Sequence, residues 1–277
     1  MFRVLARRLI APEVWRATLS APRIAARRRA GHFVIVRPTA ASERIPLTIV
    51  AADPERGTID IIFQVVGATT RELASVPEGG AVADVVGPLG RPTHIERYGR
   101  AAVVGGGVGI APLLPIARAL REAGNTLVAI LGARTAEHLI LEDELAPLSD
   151  RLLVATDDGS RGRQGLVTDV LREALAETSF DFVLAVGPVV MMAAVADLTR
   201  PLGIRTMASL NPLMIDGTGM CGVCRCNVGG ETKLACVEGP EFDAHQVDFA
   251  NLRRRLGMFR EEEAARRTAA EREAHGA

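Results

Sequence analysis

The spacing of apolar residues changes character about a third of the way along the chain. Before residue 95 the apolar stretches are short, often alternate with polar residues, and are broken by proline and glycine: Ala30–Val36, Pro46–Val50, Thr58–Val66 and Ala81–Val86. A period of two puts successive side chains on opposite faces, so these segments predict an all-β unit, a small barrel. One short helix is predicted within it, over Thr70–Ala74, after the turn Val66-Gly67-Ala68-Thr69. From Gly99 the texture becomes strand, glycine turn and helix in alternation. AAVVGGG precedes a helix at Ala111–Ala123, TLVAILGA one near Leu141–Leu145, RLLVATDDG one at Val167–Thr178, and FDFVLAVG one at Val189–Thr199. That order implies an open parallel sheet with right-handed crossovers, a Rossmann-like α/β domain. A cysteine-rich loop follows, and the charged, alanine-rich run from Arg260 to Ala277 is expected to be a solvated helix. The expected divisions are 1–97 (β-barrel), 98–204 (α/β domain), 205–255 (cysteine lobe) and 256–277 (charged tail).

Composition narrows the class of function. Lys plus Arg equals Asp plus Glu at 33 each, so no broad field draws the chain to nucleic acid or to an acidic membrane surface. The N-terminal MFRVLARRLIAPEVW has too short an apolar run for a signal peptide, and no stretch reaches the roughly 20 apolar residues of a membrane span. A cytoplasmic location is therefore expected. In that compartment thiols stay reduced, so the clustering of all four cysteines between Cys221 and Cys236 favours a metal centre over disulfides.

The spacing of that cluster is specific. Plant-type 2Fe-2S sites read C-x4-C-x2-C…C, and here the series is Asp216-x4-Cys221-x2-Cys224-x11-Cys236, with aspartate in the first place. Cys226 is a rival fourth ligand, because in an extended segment it shares a face with Cys224. A zinc site made from Cys221, Cys224, Cys226 and Cys236 also fits the residue types. Upstream, the first α/β strand runs into Gly105-Gly106-Gly107-Val108-Gly109-Ile110-Ala111-Pro112, where glycines let backbone amides approach a pyrophosphate at a helix N-terminus. Further turns, Gly132-Ala133-Arg134, Asp157-Asp158-Gly159 and Gly187-Pro188, fall at strand ends, where ligands of such sheets bind. Arg134 can hold a 2′-phosphate, and the adjacent Asp157 and Asp158 suit ribose binding or turn capping better than acid–base work. Between NADH and NADPH the choice stays open. His245, Asp243 and Asp248 in GPEFDAHQVDF read as a structural polar loop docking the cysteine lobe.

GGGVGIAP followed by VGP-x-x-M behind a β domain resembles the nicotinamide half of the ferredoxin-NADP reductase superfamily. The resemblance implies FAD on the barrel. Its flavin signature, R-x-Y-[ST], is matched imperfectly by Arg44-Ile45-Pro46-Leu47-Thr48, with Leu47 where an aromatic ring would stack on the isoalloxazine. It implies Thr48 at the flavin ring edge, Gly67, Thr69 and Thr70 near the pyrophosphate, and Pro46, Gln64 and Val66 as further contacts. For NAD(P)H it implies Gly106, Gly107, Gly109, Pro112, Gly132, Arg134, Asp157, Asp158, Gly187, Pro188 and Met191. With the cysteine loop, the chain resembles the dihydroorotate dehydrogenase electron-transfer subunit. Through ERIPLTI, GARTAEHLILEDEL and DGTGMCG-x-CR it more closely resembles the small subunits of sulfide dehydrogenase and of NADH-dependent reduced ferredoxin:NADP oxidoreductase. In that branch one aspartate and three cysteines hold the cluster, and Asp216 falls on the aspartate. The resemblance implies hydride transfer from NAD(P)H to FAD and single-electron relay through one 2Fe-2S cluster. The partner it implies is a larger FAD and 4Fe-4S subunit of the glutamate synthase small-subunit type, with ferredoxin reached through the complex. The alternatives are the dihydroorotate dehydrogenase subunit and a zinc-stapled nucleotide-binding module without redox activity.

Overall fold

The computed structural model describes residues 1–259, and the helix expected from Arg260 onward lies outside them. The first unit is an antiparallel sheet of β1 (Phe2–Ala11), β2 (Val14–Ser20), β3 (Phe33–Arg37), β4 (Ile45–Asp53), β5 (Thr58–Gln64), β6 (Ala81–Val82) and β7 (Asp84–Leu89), with short helices α1 (Pro22–Ala25) and α2 (Ala68–Ser75). In the order β6-β1-β2-β5-β4-β3-β7 it curls into a half-barrel around Leu19, Val34, Ile49, Ile59 and Ile61. β1 and β2 are absent from the segments the sequence pattern marks, because arginines interrupt their apolar positions. In the fold those arginines lie on the outer surface. Arg7 stacks over the Trp15 ring at 4.3 Å and donates to the carbonyls of Ala74 and Val76, while Arg16 pairs with Asp60 at 2.8 Å and Glu144 at 2.7 Å. Their aliphatic stems cover apolar surface while the charged ends keep partners.

The second unit alternates as expected: β8 (Arg100–Gly106), α3 (Ile110–Glu122), β9 (Thr126–Ala133), α4 (Glu142–Leu145), β10 (Arg151–Thr156), β11 (Arg163–Gln164), α5 (Val167–Glu177), β12 (Phe182–Val186), α6 (Val189–Thr199) and β13 (Arg205–Ser209). Ala101–Val104 of β8 are fully buried, since helices cover both faces of the sheet, and this is why the strand reads as a continuous apolar run. The chain ends its described part with the hairpin β14 (Arg225–Val228) and β15 (Glu231–Leu234), then α7 (Ala235–Glu238), β16 (Glu241–Asp243) and α8 (Phe249–Leu256).

The strand order of the second sheet, β11-β10-β9-β8-β12-β13-β16, corrects the expected boundary at residue 204. β13 is a parallel strand of the α/β sheet, and β16, from beyond the cysteine loop, joins it antiparallel through Ser209↔Glu241 and Met207↔Asp243. The sequence pattern misses both because each is short and lacks a following helix of its own. The lobe is fastened at two more points. His245 Nε2 lies 3.0 Å from Thr199 Oγ1, which accepts from Thr206 Oγ1 at 2.7 Å, and both threonines are buried. Gly217 lies against Ile35 and Leu89 of the half-barrel so closely that a Cβ there would come within 2.7 Å of both. Among the described residues no helix is long and apolar enough to cross a membrane.

Replacing His245 by Ala leaves the Thr199 hydroxyl one partner short at a buried site. The expected loss is about 1–2 kcal/mol in chemical denaturation, with the visible spectrum of the loaded protein retained.

Candidate functional site

The flavin face predicted from sequence lies on β4. By strand alternation Pro46 and Thr48 share the face opposite to Ile45, Leu47 and Ile49, which pack toward the half-barrel core. Thr48 stands across from Phe33 and Pro46 across from Ile35, so both lie beside the strand on which Gly217 rests. Leu47 is thus turned toward the half-barrel core, away from the side that carries Pro46 and Thr48. Arg44 is exposed and makes no hydrogen bond or ion pair to the described residues. At α2 the Thr70 hydroxyl accepts from the amides of Val66 and Gly67, both at 3.0 Å, and so shapes the turn rather than offering a free donor. Gly67 faces open space, and the first-turn amides of α2 lack intrahelical acceptors, an arrangement suited to a pyrophosphate.

A cavity of about 480 Å³ lies at the carboxyl ends of the parallel strands. Gly106, Gly107, Gly132, Arg134, Asp157, Pro188 and Met191 line it, joined by Gln64 and Val14 from the half-barrel. It therefore spans both units, as a nicotinamide must to meet a flavin. The glycines serve different ends. Gly107 has φ +57° and nothing within 4 Å of a notional Cβ, so it turns the chain and leaves backbone open to a ligand. At Gly106 and Gly187 a Cβ would strike Met191 at 2.6 and 2.8 Å, and these two glycines let Met191 lie across both strand ends. Gly109 packs on the backbone of Val186 and Gly187, and neither it nor Pro112 lines the cavity. Asp158 is outside it too: its carboxylate accepts from the Ser160 hydroxyl and amide, which hold its pKa below the usual range, so it caps a turn. Arg134 and Asp157 have no hydrogen-bond or ion-pair partner through their side chains among the described residues, although both line one cavity. Sequence reasoning missed the exposed apolar wall of Val108, Leu166 and Val190, and also His138. An exposed valine in a loop carries no sequence signal; only its position over a cavity gives it meaning.

In the cysteine lobe the donors fall into two pairs. Asp216 accepts from the amides of Thr218 and Cys221, each at 2.9 Å, and these bonds hold its carboxyl below the usual carboxylate range. Gly217, Gly219 and Gly222, all at positive φ, let the loop wrap round that carboxylate. The thiols of Cys224 and Cys236 meet at 3.2 Å in the interior, while Cys221 is exposed. Burial, then the Cys224 thiol, push Cys236 up to about 12. Cys226 sits on β14, buried, with its sulfur 3.6 Å from the Lys233 carbonyl, and burial pushes it up to about 11. Three thiols and an ionised carboxylate on a glycine-rich loop are a donor set that fits an iron–sulfur cluster, although the two pairs do not close into one convergent group. Asp243 accepts from the His245 amide and Asp248 caps α8 through the Asn251 amide, so this polar loop is structural, as expected.

Half-barrel, nicotinamide sheet and cysteine lobe in this order define a flavin- and iron–sulfur-dependent oxidoreductase subunit of the ferredoxin-NADP reductase type, with FAD, NAD(H) and an iron–sulfur cluster as its cofactors. Residues 103–197 match the oxidoreductase NAD-binding domain family, and residues 211–248 match the iron–sulfur cluster binding domain of dihydroorotate dehydrogenase B. The chain belongs to the family of dihydroorotate dehydrogenase B electron-transfer subunits and their homologues. It is 49% identical over 254 residues to the Thermotoga maritima dihydroorotate dehydrogenase B (NAD(+)) electron transfer subunit homolog, covering 92% of this chain and 90% of that protein. To the electron transfer subunit of Bacillus caldolyticus it is 38% identical, with 88% and 96% covered. A chain of the NADH-dependent reduced ferredoxin-NADP oxidoreductase structure superposes with TM-score 0.92 at 45% identity, over 97% of each chain. An Amycolatopsis cytochrome P450 reductase shares the fold, with TM-score 0.62 at 23% identity, over 74% of this chain and 68% of that one.

The thiol environments give an order of reactivity in cluster-free protein. Cys221 is expected to alkylate first at pH 8 and the buried Cys226 and Cys236 last, with both of their rates still rising as pH approaches 11, because the thiolate is the reactive form. Peptide mapping after timed alkylation checks the order.

Proposed function

We propose that this chain takes hydride from NADH at the junction of half-barrel and nicotinamide sheet and passes electrons singly through a 2Fe-2S cluster to a larger partner subunit. FAD would supply the switch from two-electron to one-electron chemistry, and the cluster the one-electron relay. The observation that carries the reading is the contact of Gly217 with Ile35, which sets the cysteine loop against the strand beside Pro46 and Thr48. Thr48 would hydrogen-bond the flavin edge, and the α2 turn would hold its pyrophosphate, with Arg44 free to add charge. Met191, Val108 and Val190 would exclude water from the nicotinamide, while Gln64 joins from the flavin side. Hydride transfer itself needs no general base.

The partner in this reading is a flavin and 4Fe-4S subunit resembling the glutamate synthase small subunit. The 45% identity over nearly the full length to a chain from an oxidoreductase described in terms of electron bifurcation supports that assignment. So does aspartate, rather than a fourth cysteine, at position 216. The second reading, an electron-transfer subunit of dihydroorotate dehydrogenase, is favoured by the names of the Thermotoga and Bacillus relatives. Mass spectrometry of the complex purified from native cells decides between them, since a dihydroorotate-oxidising subunit would overturn the first.

At the ribose end, the unpaired Asp157 suits free ribose hydroxyls and repels a 2′-phosphate. NADH is expected to exceed NADPH in kcat/KM at least tenfold, and Asp157→Asn to shrink the ratio about tenfold, roughly 1.4 kcal/mol. If Arg134→Ala selectively abolishes a strong NADPH activity, the arginine holds a phosphate and this assignment is wrong.

Anaerobically purified protein is expected to show flavin and ferric-sulfide absorption and an EPR signal on reduction, with iron and sulfide in equal amounts. Cys226→Ser should keep the cluster and Asp216→Ala lose or destabilise it. Zinc in a colourless protein, or loss of the cluster in Cys226→Ser alone, would refute the ligand set.

A further inference from the structure

The group left without a task by this reading is Glu241. It opens β16 opposite Ser209, at the carboxyl end of the nicotinamide sheet, and follows Pro240, which lies beside the Phe33 ring through Gly90. Phe33 in turn stands across from Thr48 on the face assigned to the flavin, where paired strands place residues about 5 Å apart. The carboxyl is ringed by protein while the residue keeps part of its surface open, so it sits in a crevice rather than on the outside. Oε1 accepts from Thr93 Oγ1 at 2.7 Å, and the backbone of Gly31, at φ +84°, closes over the pair.

No cation answers this carboxyl among the described residues. The segment linking the two units contributes Thr93 and Tyr98, while its His94 ring lies 3.3 Å from Glu96, which also pairs with Arg205. β13 contributes only Ser209, and from the half-barrel loop the His32 ring turns to the Arg29 amide. A carboxylate so placed pays for desolvation with one hydrogen bond, whereas the neutral acid does not. Burial accordingly pushes Glu241 up to about 7. An acid of this kind without a cation partner, at the seam of two units that each hold a cofactor, is a candidate for proton work.

Resting on the flavin reading above, we infer that Glu241, at the seam of half-barrel and nicotinamide sheet beside the cavity rather than in it, is the residue that holds a proton against the charge of the reduced cofactors. When NADH delivers hydride and leaves as NAD⁺, the negative charge gained by the protein draws one proton from water onto the Glu241 carboxylate. As the electrons depart singly to the partner subunit, that proton returns to water. Glu241 is a positioning residue in this scheme, holding charge balance beside the redox groups without itself carrying electrons.

Reduced-minus-oxidised infrared difference spectra of the intact loaded protein near pH 7 test it. The expected result is a protonated-carboxyl C=O band that grows on reduction, moves down in D₂O, disappears in Glu241→Gln and persists in the surface control Glu122→Gln. A band unchanged in Glu241→Gln, or no carboxyl band at all, overturns the inference. Stability against pH provides a second measurement. A folded-state pKa raised from the usual glutamate value to about 7 contributes stability that is complete near pH 4.5 and lost as pH rises to 7. Wild type should therefore lose stability relative to Glu241→Gln between pH 5 and 8, and a constant difference counts against the proposal. Protein that binds no flavin would overturn the functional reading and this inference together, whereas flavin with no carboxyl response overturns this inference alone.

Discussion

The arrangement depends on one piece of strand pairing, the antiparallel seating of β16 against β13. The chain leaves the nicotinamide sheet after β13, forms the cysteine loop and hairpin, and then returns to the same sheet as its edge strand. The Leu210 amide donates to the Pro240 carbonyl and the Ala244 amide to the Thr206 carbonyl, extending the ladder beyond the strand at both ends. A loop whose two ends are fixed in one sheet cannot swing away from it. The cysteines are thereby held over the half-barrel, where Gly217 meets Ile35, and the linker amide of Arg91 donates to Gly239 across the same seam. In the proposed reading, removing electrons one at a time requires the cysteine loop to stay close to the flavin, and this pairing would hold it there.

Two physical causes act on the glycines of the site, and at Gly217 and Gly219 they coincide. Gly107, Gly217 and Gly219 adopt positive φ, and the last two allow the loop to close on the Asp216 carboxylate. Gly106, Gly109, Gly132 and Gly187 are required by contact, since a Cβ at any of them would fall within 2.9 Å of a neighbouring atom. The first kind shapes backbone for an anion or a metal, and the second brings helices and Met191 hard against strand ends. Both produce the same letter in the sequence.

Electrostatics separates the two ends of the redox path. The nicotinamide cavity keeps an unpaired arginine and an unpaired aspartate for the ligand, whereas the charges of the polar loop after the cluster are consumed in capping and docking. The cysteine interior is apolar, and burial pushes the Cys226 and Cys236 thiols up, so that a metal at Cys236 would take the proton's place. Glu241 is buried like two of the thiols and has the Thr93 hydroxyl but no cation as its partner among the described residues.

The α/β half was legible in the sequence because buried parallel strands are apolar on both faces and their turns need glycine, so period and punctuation coincide. The iron–sulfur character of the loop was legible because cysteines at short spacing between glycine turns mark it in the sequence. β1 and β2 were hidden, since arginines that lie flat on the sheet look like interruptions until Trp15, Asp60 and the carbonyls of Ala74 and Val76 are in place. The direction of Leu47, the withdrawal of Asp158 and Thr70 into turns, and the return of β16 to the sheet are tertiary decisions. Each depends on a partner far along the chain or on which face of a strand meets the core, and local sequence carries neither.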